Sequence, residues 1–199
     1  MKMHKKQTFK IISMITRILI IMILTFAVYI FYQQRDDFIN SFDTKTLIPY
    51  VVTGLVFSLL YLRLKRYLGF TEIYLHEACH LLLAIITLNK AVSFHVTETK
   101  GSVSYEGEAN FLVSLAPYYL PLLTFFLMFI SILTTDVYSI FIKHAVALTY
   151  TWYILVLLRQ PFGNKDIKKT GILFSYSFII LTNIANGWFV LYYLQNLGV

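Results

Sequence analysis

The segment His76-Glu77-Ala78-Cys79-His80 lies inside the apolar run from Tyr74 to Leu88. Three polar side chains therefore sit where lipid or protein interior is expected. An ionisable group at membrane depth costs roughly 2.5–3.5 kcal/mol on insertion scales, so such groups persist mainly where they pair, bind or react. Here the spacing says what they bind. Residues four apart on an α-helix differ by only about 40° in direction, so both imidazoles can meet one ion. Glu77, next to the first histidine, is then placed to take a proton from an attacking water, the role of the glutamate in His-Glu-x-x-His zinc hydrolases. Zinc suits the site because imidazole ligands and tetrahedral geometry make no redox demand.

Composition sets the environment of that segment. The 199 residues are 58% hydrophobic and 17% aromatic, with a mean hydropathy of +0.67, too apolar for a soluble globule of this size. Lys and Arg gather at the N-terminus, at Arg63, Lys65 and Arg66, and between Arg159 and Lys169. The net charge of +7 thus marks membrane flanks and gives no reason to expect nucleic-acid binding. A single cysteine, Cys79, excludes an internal disulfide and a cysteine metal cluster. The run at 11–32 is too long for a signal peptide and lacks a small-residue cleavage site, so it is expected to remain as an anchor.

Runs able to cross about 30 Å of hydrocarbon fall at 11–32, 47–62, 67–88, 110–135, 138–158 and 171–197. The expectation is an all-α polytopic membrane protein with about six transmembrane helices. A small β-hairpin is expected after the metal-binding helix, where Val92, Phe94 and Val96 alternate, a turn follows near Gly101, and Val103 and Tyr105 resume. Three regions follow: N-terminal anchor helices over 1–66, a membrane core over 67–170 and a C-terminal transmembrane helix over 171–199. No internal repeat or low-complexity linker separates them.

A catalytic zinc normally has three protein ligands and one open position. Candidates for the third are Asp166, Asp136, His144, His95, Glu106 and Glu108. Two crossings after the hairpin return the chain to the side where the histidine helix ends, which favours Asp166. Its loop, Gln160 to Asp166, holds breakers and an amide, Asn164, able to orient the carboxylate. Asp136 falls on the opposite side, and His144 reads better as a hydrogen-bonded helix residue. His95, Glu106 and Glu108 rank behind Asp166.

The residues Leu75 to His80 with Ala84, the Gly101 hairpin, Leu112 to Ala116 with Pro117 and Pro121, and Asn164-Lys165-Asp166 together resemble the site-2-type intramembrane metallopeptidases. The similarity covers about 70–170 and is closest to short members without attached regulatory domains. It implies zinc held by His76, His80 and Asp166, with Glu77 as general base. Two departures stand out: Cys79 precedes the second histidine where the family often has Gly, and Ile167 follows Asp166 in place of Gly.

The function expected is zinc-dependent endoproteolysis of a membrane-spanning protein or peptide by a multi-pass protein of the cell membrane. An exposed strand edge of the hairpin is expected to hold the unwound substrate by β-augmentation. The alternative is a non-proteolytic zinc-binding membrane protein with a helper, immunity or transport role. Charge raises a conflict: a cytoplasmic N-terminus with six spans puts the basic Arg159 to Lys169 stretch outside.

Overall fold

The computed structural model describes residues 2–36, 40, 43–107, 110–134 and 136–196, excepting the side chains of 2–13, 31, 136 and 137. Its elements are α1 (Lys2–Gln33), α2 (Thr44–Ile86), β1 (Lys90–Val96), β2 (Gly101–Glu106), α3 (Phe111–Tyr119), α4 (Leu122–Ile132), α5 (Asp136–Arg159), α6 (Lys165–Thr170) and α7 (Ile172–Asn196).

The largest departure from expectation is α2, one 43-residue helix that joins the runs at 47–62 and 67–88. Charge ends an apolar run without ending a helix. The intervening Leu62 to Leu68 contains no proline or glycine, and Leu, Arg and Lys are good helix formers. Asp43 starts the helix by accepting from the Lys45 amide at 3.0 Å.

Within α2, the Tyr61 hydroxyl donates to Glu72 Oε1 at 2.6 Å. Eleven residues of straight helix rise roughly 16 Å, more than these two side chains span end to end. Helix α2 therefore bends between them, with Tyr61 and Glu72 on the inner side. Gly69 lies in this stretch, where a side chain would meet nothing within 4 Å.

The run at 110–135 departs in the opposite sense. It breaks into α3 and α4, whose axes turn by 75°, because Pro117 and Pro121 withdraw two backbone donors. Among the described residues, three helices are long and apolar enough to cross a membrane, or four if the bent pair counts as one span. The apolar part of α1, Met14–Ile30, is shorter. This corrects the count of six: hydropathy measures apolar length, whereas proline and backbone continuity decide where helices stop.

The broken α3–α4 connection leaves backbone acceptors without helical partners, and α7 and α5 supply donors. Asn183 Nδ2 and the Tyr153 hydroxyl both reach the Tyr118 carbonyl at 2.8 Å. Asn186 Nδ2 reaches that of Tyr119 at 2.7 Å. Lipid offers no substitute donor, so such bonds hold a broken helix at membrane depth.

The hairpin forms as expected, antiparallel from Lys90 opposite Glu106 to Val96 opposite Gly101, with an irregularity between Ala91 and Ser93. It leaves α2 through a Schellman ending: the Asn89 amide bonds Ala84 O at 2.9 Å and that of Leu88 bonds Ile85 O at 3.0 Å. Leu88 takes the left-handed conformation, φ 60°.

Three basic segments gather at one end of the molecule. Arg159 contacts both Tyr61 and Glu72, which bracket Arg63, Lys65 and Arg66. Arg17 bonds the Thr170 carbonyl and lies over the Phe174 ring. Farther along α1, Ile20, Ile21 and Leu24 pack on the cluster containing Phe178 and Ile179. Helix α1 thus runs in the same direction as α7, and its basic beginning projects beyond the start of α7. The charge conflict was stated for six spans, a count that the described helices do not reach.

Candidate metal centre

One face of α2 carries His76 and His80, their ring centroids 5.0 Å apart. Asp166, in the first turn of α6, faces both. Its Oδ2 lies 3.9 Å from His76 Nε2 and 3.7 Å from His80 Nε2, and one donor atom from each residue falls within 4.8 Å of the others. These separations discriminate between two arrangements. A direct N–H···O hydrogen bond spans about 2.7–3.2 Å, whereas ligands about 2.1 Å from a tetrahedral zinc stand about 3.4 Å apart. The observed distances are too long for the former and within about 0.5 Å of the latter. The three residues can hold a metal ion.

Packing fixes the direction of His80. Its Nδ1 lies 2.7 Å from the Val113 carbonyl, which can only accept, so Nδ1 carries the proton and Nε2 presents its lone pair to the site. The residue four after Val113 is Pro117, which has no N–H for a helical bond to that carbonyl. The proline within α3 therefore frees the acceptor that aims the histidine.

Asp166 is supported by a short chain of hydrogen bonds. Asn164 Nδ2 donates to the Tyr118 hydroxyl at 2.6 Å, and that hydroxyl donates to Asp166 Oδ2 at 3.3 Å. Asn164 also caps α6 by accepting from the Ile167 amide at 3.2 Å. Asn164 thus connects to Asp166 through Tyr118, whose ring also meets His76 edge-on with centroids 5.6 Å apart. Burial pushes the Asp166 carboxyl up, but without a metal the two imidazoles, when they carry a proton on the nitrogens that face it, outweigh burial and hold the group below the usual carboxylate range.

The loop before α6 is pinned by stacking of Phe162 on Tyr176, centroids 4.7 Å apart, and by a Gly163 amide bond to the Tyr176 hydroxyl at 2.9 Å. Gly163 adopts φ 64°, a conformation glycine takes without a Cβ clash.

Glu77 lies against the first residue of β2. A Cβ on Gly101 would stand 2.7 Å from Glu77 Oε1 and 2.9 Å from Cδ, so a bare backbone is what lets strand and carboxylate meet. Tyr74 and Phe94, edge to face at 5.6 Å, hold the hairpin along α2.

Three of the remaining candidates lie elsewhere. His95 is exposed in β1, and Glu106 pairs with Lys90 at 3.3 Å. His144 Nδ1 contacts Thr53 Oγ1 at 2.7 Å, in keeping with a hydrogen-bonded helix residue. The side chain of Asp136 and the whole of Glu108 lie outside the described residues. Cys79 is buried among Leu83, Ala84, Val113 and Ala116.

Sequence reasoning missed Tyr118, the Val113 carbonyl and a second polar group beside the site. In that group Glu72 Oε1 accepts from Tyr61 at 2.6 Å and Trp152 Nε1 at 3.5 Å, while Oε2 stands 3.7 Å from Arg159. Two signals were available: Glu72 precedes His76 by one helical turn, and Pro117 follows Val113 by the same interval. No protein-family model, curated protein or solved structure matches the chain.

Proposed function

We propose that the protein is a zinc-dependent intramembrane endopeptidase of the site-2 type that cleaves a membrane-spanning protein or peptide. One observation carries the reading: two imidazoles on an apolar helix converge with a carboxylate from a distant loop, and a second carboxylate, Glu77, lies beside a strand edge. His76, His80 and Asp166 would hold the zinc. When bound, zinc supplies Lewis acidity to the scissile carbonyl and lowers the pKa of water.

The chain's own residues account for the rest. A free edge of the hairpin offers unpaired amide and carbonyl groups, so a substrate segment that has lost its helical bonds can replace them there. Glu77 takes a proton from the water that attacks the amide carbon. The C–N bond then breaks, and the same carboxyl returns the proton to the leaving nitrogen, leaving a carboxylic acid and an amine. The Val113 carbonyl keeps His80 in the tautomer this requires, and Tyr118 with Asn164 holds the Asp166 carboxylate.

The gathering of basic segments at one end supports a cytoplasmic position for that end in the cell membrane. The site sits close to it, since His76 is one turn beyond Glu72 and Asp166 lies seven residues beyond Arg159.

The test uses purified full-length protein in lipid nanodiscs with a synthetic membrane-spanning peptide. Zinc-dependent cleavage that Glu77→Gln abolishes while retaining the metal is expected. Equal cleavage by Glu77→Gln refutes the assignment. Chelation that unfolds the protein, with no cleavage under any condition, would identify a structural zinc site instead.

A further inference from the structure

A cavity opens between α2 and α5 beside the metal-binding face. Leu75, His76 and Cys79 form one wall, Trp152 and Val156 the facing wall, and the α3–α4 break at Leu120 and Pro121 its end. The 75° turn at that break leaves the space unfilled. Its surface is mainly apolar, and the two threonines in its lining, Thr124 and Thr149, bond each other at 3.2 Å. Toward the basic end it reaches Glu72, which Tyr61, Trp152 and Arg159 engage.

We propose that this cavity receives one aliphatic side chain of the substrate, valine, leucine or isoleucine, next to the bond that is cut. The inference rests on the endopeptidase reading and names the side chain that the site selects. Three observations support it. His76 belongs both to the metal-binding group and to the cavity wall, so an occupant lies one residue's reach from the chemistry. Most of the lining is apolar, with Gln160 and the His76 ring as polar exceptions, and Glu72, the acid within it, is already engaged.

Size makes the third argument. The space open to a water-sized occupant is about 70 Å³. A single water needs ~10–15 Å³ on this measure, and a cavity that holds a benzene ring is about 150 Å³. The space is thus more than an alanine methyl fills and about half that of a benzene-binding cavity, a match for a side chain the size of valine, leucine or isoleucine. A misfit of one methylene in an apolar pocket is worth roughly a 10- to 200-fold discrimination.

The experiment uses zinc-loaded full-length protein in nanodiscs and a membrane-spanning peptide library carrying Ala, Val, Leu or Phe at each central position. Products are read by mass spectrometry. At one position flanking the cut, Val and Leu should exceed both Ala and Phe by at least about tenfold. Val156→Trp, which fills the space, should collapse the Leu-to-Ala ratio toward one. Val156→Ala, which enlarges it, should raise the Phe-to-Leu ratio. Zinc content of each variant guards against misfolding. Identical ratios in all three proteins, or no preference at either flanking position, overturn the inference.

A binding measurement separates its failure from that of the endopeptidase reading. In a Trp188→Phe, Glu77→Gln background, Trp152 is the sole tryptophan of the two in the chain. A leucine-bearing peptide should shift its emission saturably, at concentrations at least about fivefold below those needed for an alanine peptide. If this holds while the protein with Glu77 intact cleaves nothing, the cavity assignment stands and the protease reading falls. If cleavage occurs and neither peptide moves Trp152, the cavity assignment falls alone.

Discussion

Replacing Tyr118 with phenylalanine isolates the contribution of the hydrogen-bonded chain behind Asp166. The ring is 2% exposed and keeps its shape, so packing is conserved and only the hydroxyl is lost. Two bonds go with it. The one to Asp166 Oδ2, at 3.3 Å, is long for O–H···O, and a bond to a charged group worth about 1.5–3 kcal/mol at good geometry is reduced here to ~1 kcal/mol. The one from Asn164, at 2.6 Å, is short, but the Asn164 amide is only part-buried and regains some of its loss from water. A total of about 1–2 kcal/mol follows, or roughly 5- to 30-fold in zinc affinity at 1.4 kcal/mol per decade. Outer partners of metal ligands commonly contribute on this scale. Competition titration against chelators of graded strength, with His80→Ala as the limiting case, reads the shift directly. A zinc affinity within twofold of the unaltered protein would show that Asp166 is placed by backbone alone.

Other perturbations probe separate parts of the site. Gly101→Ala should displace Glu77, lowering peptide cleavage at least tenfold with zinc content intact; unchanged cleavage would mean the strand need not touch the base. Tyr61→Phe removes the bond across the α2 bend and should cost about 1.5 kcal/mol in detergent unfolding, whereas no change would leave the bend to the backbone. For metal-free protein, the lowered Asp166 carboxyl contributes stability that is complete above the unfolded carboxylate range, near pH ~4. That stability disappears as pH falls toward the depressed folded value. Asp166→Asn should accordingly flatten the acid side of the stability profile, and an unaltered acid slope would show that the imidazoles do not hold the carboxylate.

The sequence exposed the candidate metal group because its signals are local and chemical. Two histidines at helical spacing in an apolar run, and an aspartate in a loop with breakers, restrict the options before any fold is known. His144 and the hairpin were legible for similar reasons, one as a helix residue with a hydroxyl partner and one as strict alternation ending at Gly101. Span counting failed where hydropathy and backbone diverge. Arg63, Lys65 and Arg66 interrupt apolarity without interrupting α2, while Pro117 and Pro121 divide a run that hydropathy joins. Tyr118 and Glu72 escaped notice because their roles depend on partners 46 and 80 residues away. The Val113 carbonyl escaped because a backbone acceptor is invisible unless the missing proline N–H is considered first.

The most direct test is the metal content of protein purified from membranes without chelator, compared with His80→Ala and Asp166→Ala. The arrangement of His76, His80 and Asp166 predicts one zinc per chain in the unaltered protein and loss in both variants, with the helical fold retained. Substoichiometric zinc in the unaltered protein, or full occupancy after either substitution, would contradict it.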